Sequence, residues 1–166
     1  MKHLLLTLLM TSLVVGGVPA QKKDDPPAAW RLVNACRAEF RVPPDVQEEK
    51  VRGFDSCVRQ YRGESMLIAL DVVIYSDPHA SRRSEYAEEQ DFRIENAKVG
   101  GRDAEIITCH EKEVPPESRG LNYVAVLFVP QMRKDCCNLT IWAYSKSPEE
   151  REKALRIFQS VRFPKE

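Results

Sequence analysis

The sequence predicts an α+β domain with an antiparallel sheet of about five to six strands, a C-terminal helix and a second helix packed on it. Residues 66–75 carry nine apolar or aromatic side chains in ten positions, and only Asp71 is charged, which is typical of a largely covered strand at the centre of the sheet. Residues 121–129 and 136–144 are rich in β-branched and aromatic side chains and indicate an antiparallel hairpin. Residues 148–160 have the capping residues and the apolar spacing of a helix.

Residues 1–20 predict a signal peptide. A short basic start is followed by an apolar run of about twelve residues, and the segment ends in small residues up to Ala20, the pattern that a signal peptidase cleaves. The run is shorter than the roughly twenty residues that a membrane-spanning helix needs. We therefore expect cleavage after Ala20 and a secreted or periplasmic protein without a stable membrane anchor.

The remaining chain predicts one domain. Removing residues 1–20 from the 166 leaves 146, a usual size for a domain with its own core. Residues 21–29 are charged and proline-bearing and indicate a flexible leader, and residues 30–166 form the predicted domain. The whole chain has 25 basic and 25 acidic residues, and this balance argues against nucleic acid as a partner.

The first predicted strand covers residues 30–42. Its apolar residues fit either a helical face or the alternation of a strand, and we favour a strand that ends at Pro43 and Pro44, because proline stops ladder pairing. Residues 43–54 then read as a polar loop. A short strand over residues 57–61 and a turn at Gly63 and Glu64 lead into the strand over residues 66–75.

The second half of the chain begins with the second predicted helix. Residues 81–93 are rich in Arg, Glu, Ala and Gln but have a thin apolar face, so this helix is expected at the surface. A turn at Gly100 and Gly101 precedes a strand over residues 104–111, and residues 114–120 form a loop. The closing helix starts with Ser147 as N-cap, Pro148 at the first position and Glu150 at the third. Its apolar stripe consists of Ala154, Ile157, Phe158 and Val161.

Several local sequences resemble a known family. Residues 40–43 (Phe-Arg-Val-Pro), the strand and turn over residues 99–104, and the ending Ile-Phe-Gln-Ser-Val-Arg-Phe at residues 157–163 are similar to the Mog1/PsbP-like family of small bacterial and plastid proteins. The resemblance covers roughly residues 40–163. It implies a sheet sandwiched by helices and a non-enzymatic accessory or binding domain, since known members bind a small GTPase or assist a photosynthetic complex. Neither role transfers here, because the signal peptide excludes the nuclear partner and no residues match a manganese or calcium site.

The cysteines are the sharpest chemical feature of the sequence. Five disulfide candidates follow the predicted signal peptide, and export places them in an oxidising compartment: Cys36, Cys57, Cys109, Cys136 and Cys137. A bond between Cys36 and Cys57 would close a loop of about twenty residues between two strands predicted to be neighbours. The sequence does not rank the other pairings, and the odd number leaves at least one thiol over.

Adjacent Cys136 and Cys137 allow a second hypothesis. Consecutive strand residues point to opposite faces, so only one of the two fits the core, and the other is free, bonded elsewhere or joined to its neighbour. Arg133 and Lys134 lie close in sequence and would favour a thiolate. The chain has no C-x-x-C motif, however, and we favour structural or leftover thiols over a redox site.

Other chemistry lacks a sequence signal. Cys109 and His110 are adjacent and diverge on a strand, His79 stands apart, and no nucleophile elbow, phosphate-binding loop or zinc-protease motif is present. Asp71 is expected to be exposed or paired with a cation. Asn138 begins a glycosylation triplet in a predicted strand, where we favour chance.

The sequence therefore predicts an exported, non-enzymatic binding or accessory domain. Its expected partner is an unidentified protein or small ligand, and we predict no catalytic residue, no cofactor and no metal. The alternative is a thiol-dependent redox or assembly factor that uses Cys136 or Cys137.

Overall fold

The computed structural model describes residues 26–51, 56–73, 85–132 and 137–164. These residues form nine strands, a short 3₁₀ helix and an α-helix. In chain order the elements are β1 (Arg31–Ala35), β2 (Ala38–Val42), β3 (Gln47–Glu49), β4 (Cys57–Arg62), β5 (Met66–Val73), β6 (Gln90–Val99), β7 (Arg102–His110), η1 (Pro116–Ser118), β8 (Tyr123–Val129), β9 (Asn138–Ser145) and α1 (Pro148–Gln159). Within the described ranges, no helix has the length and apolar character needed to cross a membrane.

The predicted fold class is wrong, because the protein is mostly sheet. Seven strands form one antiparallel sheet in the order β3-β4-β5-β9-β8-β7-β6, and β1 pairs with β2 in a separate two-stranded sheet. In the described part of the chain, one α-helix packs on this framework instead of two. Strand β5, which the sequence places at the centre, lies in the interior of the sheet between β4 and β9, and β9 occupies the middle position.

The second predicted helix, over residues 81–93, is the main source of the error. Residues 85 and 86 are helical, Glu89 N–H donates to the carbonyl of Tyr86 in the turn that follows, and residues 90–93 belong to β6. Residues 81–84 lie outside the described residues. Helix propensity is a weak prior, and here the pairing of β6 with β7 along nearly its whole length outweighs the preference of Arg, Glu and Gln for helix.

The first predicted strand is a hairpin. Cys36 and Arg37 form its turn with φ of 50° and 66°, and they connect β1 to β2. Two successive residues with positive φ are typical of a type I′ turn, which usually contains Asn or Gly, so the sequence gives little sign of it. Strand β2 ends at Val42 before Pro43, as predicted. The predicted loop over residues 43–54 contains the short strand β3.

The seven-stranded sheet has apolar side chains on both faces. Its first face packs against α1 and the β1–β2 hairpin to form the main core, whose largest fully buried side chains include Phe40 and Phe158. Its second face carries a smaller buried cluster: Tyr86, Ile107, Cys109, Val124 and Val126. The two covered faces explain why β5 and β8 read as nearly continuous apolar runs.

The predicted β8–β9 hairpin and closing helix are confirmed. Strands β8 and β9 pair antiparallel over seven residues from Tyr123 to Val129. The side chain of Ser147 accepts a hydrogen bond of 3.3 Å from the backbone N–H of Glu150, and Pro148 occupies the first helical position. Helix α1 then buries Ala154, Ile157 and Phe158 against the sheet.

Replacing Ser147 by alanine is expected to lower the free energy of unfolding by about 1 kcal/mol, because an N–H at the helix start loses its acceptor. Ser147→Asp is the matched control, since its carboxylate also caps and lies at the positive end of the helix dipole. Urea denaturation compares the three proteins. Equal stability of the alanine variant and the wild type would show that the cap does not contribute to the free energy of unfolding.

Candidate functional site

Cys36 and Cys57 form a disulfide that ties the β1–β2 hairpin to the large sheet. The S–S distance is 2.02 Å and the two Cα atoms are 5.7 Å apart. Cys57 begins β4 as expected, whereas Cys36 lies in the hairpin turn and not in a strand. An intramolecular disulfide is typical of an oxidising, extracellular compartment.

The other two described cysteines, Cys109 and Cys137, do not form a reactive thiol site. Cys137 is also disulfide-bonded, and Cys136 lies outside the described residues. Cys109 is the free cysteine among the described residues, and it is fully buried. A redox thiol needs an exposed position and a lowered pKa, and Cys109 has neither.

Cys109 belongs to a buried cluster of titratable groups on the second face of the sheet. Glu111 and Tyr86 are nearly fully buried, and Tyr144 forms a side-chain hydrogen bond with Tyr86. The backbone N–H of Glu111 donates to the carbonyl of Asn122, which fixes the end of this strand. From α1, Arg151 Nη1 donates to the carbonyl of Cys109 over 3.2 Å.

Burial keeps the Cys109 thiol and the two tyrosines of this cluster neutral near pH 7. Desolvation, with the nearby charges of Glu111 and Glu89, raises the pKa of Cys109 to about 12. Desolvation also raises the pKa of Tyr86 far above its usual value, and that of Tyr144 to about 12. Glu111 differs, because desolvation and the charges of Glu89 and Glu85 raise its pKa only to about 7. The cluster therefore contains one group that titrates in the physiological range.

Other residues singled out by the sequence do not form a site. Asp71 is half-buried, and its Oδ1 has no hydrogen-bond partner among the described residues, so it is neither the exposed nor the paired carboxylate that we expected. His110 stacks on Tyr123 at a centroid distance of 4.5 Å, and His79 lies outside the described ranges. No set of three potential metal ligands comes together in the part of the chain that is described. Asn138 Oδ1 accepts from the backbone N–H of Gln131.

The outer surface of the β1–β2 hairpin forms a groove of about 600 Å³, here called the hairpin groove. Side chains alternate along β2, so that Phe40 enters the core whereas Glu39 and Arg41 face outward. Leu32 stands directly opposite Arg41 in the pairing of β1 with β2. The groove is lined by Pro26, Ala28, Leu32, Glu39, Arg41, Ser160 and Arg162.

The chain after α1 closes the groove on its second side. Glu39 and Arg162 exchange two backbone hydrogen bonds, with N···O distances of 2.9 and 2.7 Å. The Ser160 hydroxyl accepts from the backbone N–H of Arg41 over 2.8 Å and donates to the carbonyl of Ile157. The bond between Arg41 and Ser160 joins residues 119 positions apart in sequence, and together these bonds fix the floor of the groove.

Backbone carbonyls also accept hydrogen bonds from the guanidinium groups of Arg41 and Arg162. Arg41 Nη1 donates to the carbonyl of Trp30 over 2.9 Å. Arg162 Nη1 donates to the carbonyls of Gln159 and Val161, both over 2.8 Å. A guanidinium has five N–H donors. Within the described residues, only the Nη1 atom of each of these two guanidinium groups donates a hydrogen bond. The remaining donors of both side chains form no hydrogen bond within the described residues, and both residues line the groove.

Leu32 gives the groove its apolar contact. Its side chain is 51% exposed, and Leu32 and Ile94 are the two large hydrophobic residues that lie exposed in the described part of the chain. Sequence patterns do not predict the hairpin groove, because its lining comes from both ends of the domain. The available signal was the alternation of residues 38–42, which places Glu39 and Arg41 on the outer side.

A second groove, of about 470 Å³, lies beside β3 and β4. Three of its four charged side chains, those of Glu48, Glu49 and Arg59, already pair with each other or with neighbours. Glu49 accepts from Gln60 and Arg62 at 2.7 and 2.9 Å, and Arg59 forms an ion pair with Glu48 at 3.4 Å. This groove therefore offers a ligand fewer free polar groups than the hairpin groove.

Comparison of the sequence with models of protein families and with curated proteins gives no match. The resemblance to the Mog1/PsbP-like family thus has no support at the family level.

Proposed function

We propose that the protein is an exported, non-enzymatic binding domain and that the hairpin groove is its ligand site. The signal-peptide pattern of residues 1–20 and the Cys36–Cys57 disulfide both support export. The groove supports binding, because it combines an exposed apolar side chain with polar groups that are already fixed in place. Fixed groups favour binding, since less side-chain entropy is lost when a ligand is held.

The observation that carries the proposal is the exposure of Leu32 inside this groove. A hydrophobic side chain that is 51% exposed loses contact with water when a ligand covers it. Arg41 stands beside it on β2, and Arg162 lies across the groove. The ligand that fits is a protein segment or small molecule with an apolar group next to an anionic or carbonyl group.

Glu39 adds a requirement to the ligand. Its carboxylate lies in the same groove, so a ligand with one anionic group is favoured over a polyanion, whose second charge would meet this carboxylate. The charge pattern also distinguishes the groove from a nucleic-acid site, which would need a cluster of cations without an intervening acid. A short amphipathic protein segment meets these conditions.

Leu32→Asp is expected to abolish capture of the ligand from the exported fraction of cells that make the protein. The substitution removes the apolar contact and places a carboxylate directly opposite Arg41, where it competes with an anionic ligand for the guanidinium. The measurement passes this fraction over the immobilised wild type and variants and compares the captured species by mass spectrometry. Arg41→Glu is expected to lose the same species.

Ile94→Asp provides the matched control, since Ile94 is the other exposed large hydrophobic residue of the described chain and lies on β6. A species bound by the wild type and the Ile94→Asp variant, but not by the Leu32→Asp variant, supports the proposal. Identical captures by all four proteins would contradict it.

The thiol-dependent alternative receives no support from the described cysteines. Cys36, Cys57 and Cys137 are in disulfides, and Cys109 is a buried thiol of raised pKa. We therefore do not propose a thiol-dependent activity.

A further inference from the structure

Strand β6 forms one edge of the seven-stranded sheet. It is ten residues long, Gln90–Val99, and β7 is its pairing partner within the described chain. Most of its side chains are exposed, from Arg93 to Asn96 without interruption. A long open edge presents a row of unpaired backbone groups that favours pairing with a further strand.

The turn between β6 and β7 determines which backbone groups face outward. Gly100 and Gly101 form a two-residue turn with positive φ, and Val99 pairs with Arg102 across it. The residues that flank such a turn bond to each other, so every second residue of β6 bonds to β7. The backbone groups of Ile94, Asn96 and Lys98 consequently point away from the sheet.

Three neighbouring side chains give this edge a self-complementary pattern. Arg93 and Glu95 lie on one side of the strand and Ile94 on the other, since side chains alternate. Ile94 is 37% exposed. Neither Arg93 nor Glu95 forms an ion pair with another residue in the described ranges.

We propose that β6 pairs antiparallel with β6 of a second copy of this chain, with Ile94 opposite Ile94 of the second copy. In this register the two Ile94 residues exchange both backbone hydrogen bonds through their outward groups. Arg93 lies opposite Glu95 of the second copy, and the two-fold symmetry repeats this ion pair. The two Ile94 side chains meet on the same face and exclude water from each other.

Charge selects this register over its neighbours. Sliding one strand by two residues in one direction places Glu95 opposite Glu95 of the second copy, and sliding it in the other direction places Arg93 opposite Arg93. Like charges directly opposite each other destabilise an antiparallel pair, whereas opposite charges stabilise it. The pairing joins two seven-stranded sheets into one.

The ladder is short and the dimer is correspondingly weak. Asp91 has a φ of 56°, and the register of β6 against β7 shifts between Gln90 and Arg93, so the straight part of the edge begins after this bulge. About five residue pairs meet across the two-fold axis, an interface of the small, transient class. We expect association that depends on protein concentration and weakens at high salt.

Sedimentation equilibrium up to millimolar concentration tests the proposal, which does not depend on the hairpin groove. Arg93→Glu is expected to weaken dimerisation by about tenfold or more, since both ion pairs become repulsive. The double variant Arg93→Glu/Glu95→Arg recreates both pairs in reverse and is expected to restore the dimer. Ile94→Asp is expected to abolish it, because two carboxylates then face each other.

Glu152→Arg, at an exposed position of α1, serves as the control that leaves the dimer unchanged, and circular dichroism verifies that each variant is folded. A wild type that stays monomeric at all concentrations would overturn the proposal. So would a dimer that is indifferent to Arg93→Glu and Ile94→Asp. Failure of the double variant to restore the dimer would show that this register is wrong.

Discussion

Replacing both Cys36 and Cys57 by serine is expected to lower the free energy of unfolding by about 3 kcal/mol. The disulfide spans 21 positions of sequence, and removing it returns the conformational freedom of that loop to the unfolded chain. The effect has a second source in the fold, because the β1–β2 hairpin is a separate small sheet and Cys36 ties its turn to β4.

Urea denaturation without reductant measures this loss. Cys109→Ala is the control for a cysteine substitution that leaves the disulfide intact, and wild type with and without reductant provides an independent comparison. Because reductant also opens the disulfide of Cys137, the reduced wild type is expected to have a midpoint no higher than that of the double serine variant. A loss below about 1 kcal/mol would show that the core contacts of Phe40 hold the hairpin without the bond.

Glu111→Gln is expected to stabilise the protein by up to about 3 kcal/mol at pH 8. Burial, with the charges of Glu89 and Glu85, raises the pKa of Glu111 to about 7 in the folded state, against an ordinary value of 4.5. Between these two pH values the folded protein holds a proton that the unfolded chain releases. The contribution of Glu111 to stability is therefore fully present below pH 4.5 and is lost as the pH rises through 7.

The neutral glutamine keeps the shape of the protonated acid and has no charge to bury, so its stability is independent of this titration. The two proteins are expected to be equally stable near pH 4, and the difference between them grows until about pH 8. Chemical denaturation at a series of pH values gives this curve. Glu113→Gln, an exposed neighbour, is the control and is expected to follow the wild type.

A constant difference between wild type and Glu111→Gln across this range would contradict the raised pKa. A wild type that gains stability relative to the variant with rising pH would also contradict it, since that sign requires a carboxylate that is stabilised in the folded state.

The sequence predicted those elements whose local signals agree with the final fold. Strand β5 and the β8–β9 hairpin combine strand-forming side chains with burial on both faces, and α1 has a cap, a proline start and an apolar stripe. Local preference and tertiary packing point to the same structure in these segments. Their boundaries are correct to within a few residues.

The errors lie where tertiary contacts override local preference. Strand β6 contains residues that favour helix and becomes a strand only because β7 pairs with it. The β1–β2 turn uses Cys36 and Arg37 at positive φ, and the disulfide of Cys36 helps to hold a backbone conformation that such residues rarely adopt. The local sequence around these positions predicts neither the strand pairing of β6 nor the positive φ angles of the β1–β2 turn.

Sequence patterns could not predict the candidate site either, because it too depends on tertiary contacts. The hairpin groove joins residues near both ends of the domain, and the contact of Arg41 with Ser160 depends on how α1 packs on β2. The sequence did indicate the Cys36–Cys57 pair among its candidates, but not that this bond anchors the hairpin whose outer face forms the groove.

Photocrosslinking from position 32 tests the binding role of the hairpin groove most directly. A photoreactive amino acid replaces Leu32, and a control protein carries it at Glu152, an exposed position on α1. Both are exported by the cells that make the protein and are irradiated before extraction. The account predicts one discrete adduct from position 32 that is absent from position 152. No adduct at position 32, or the same products from both positions, would contradict it.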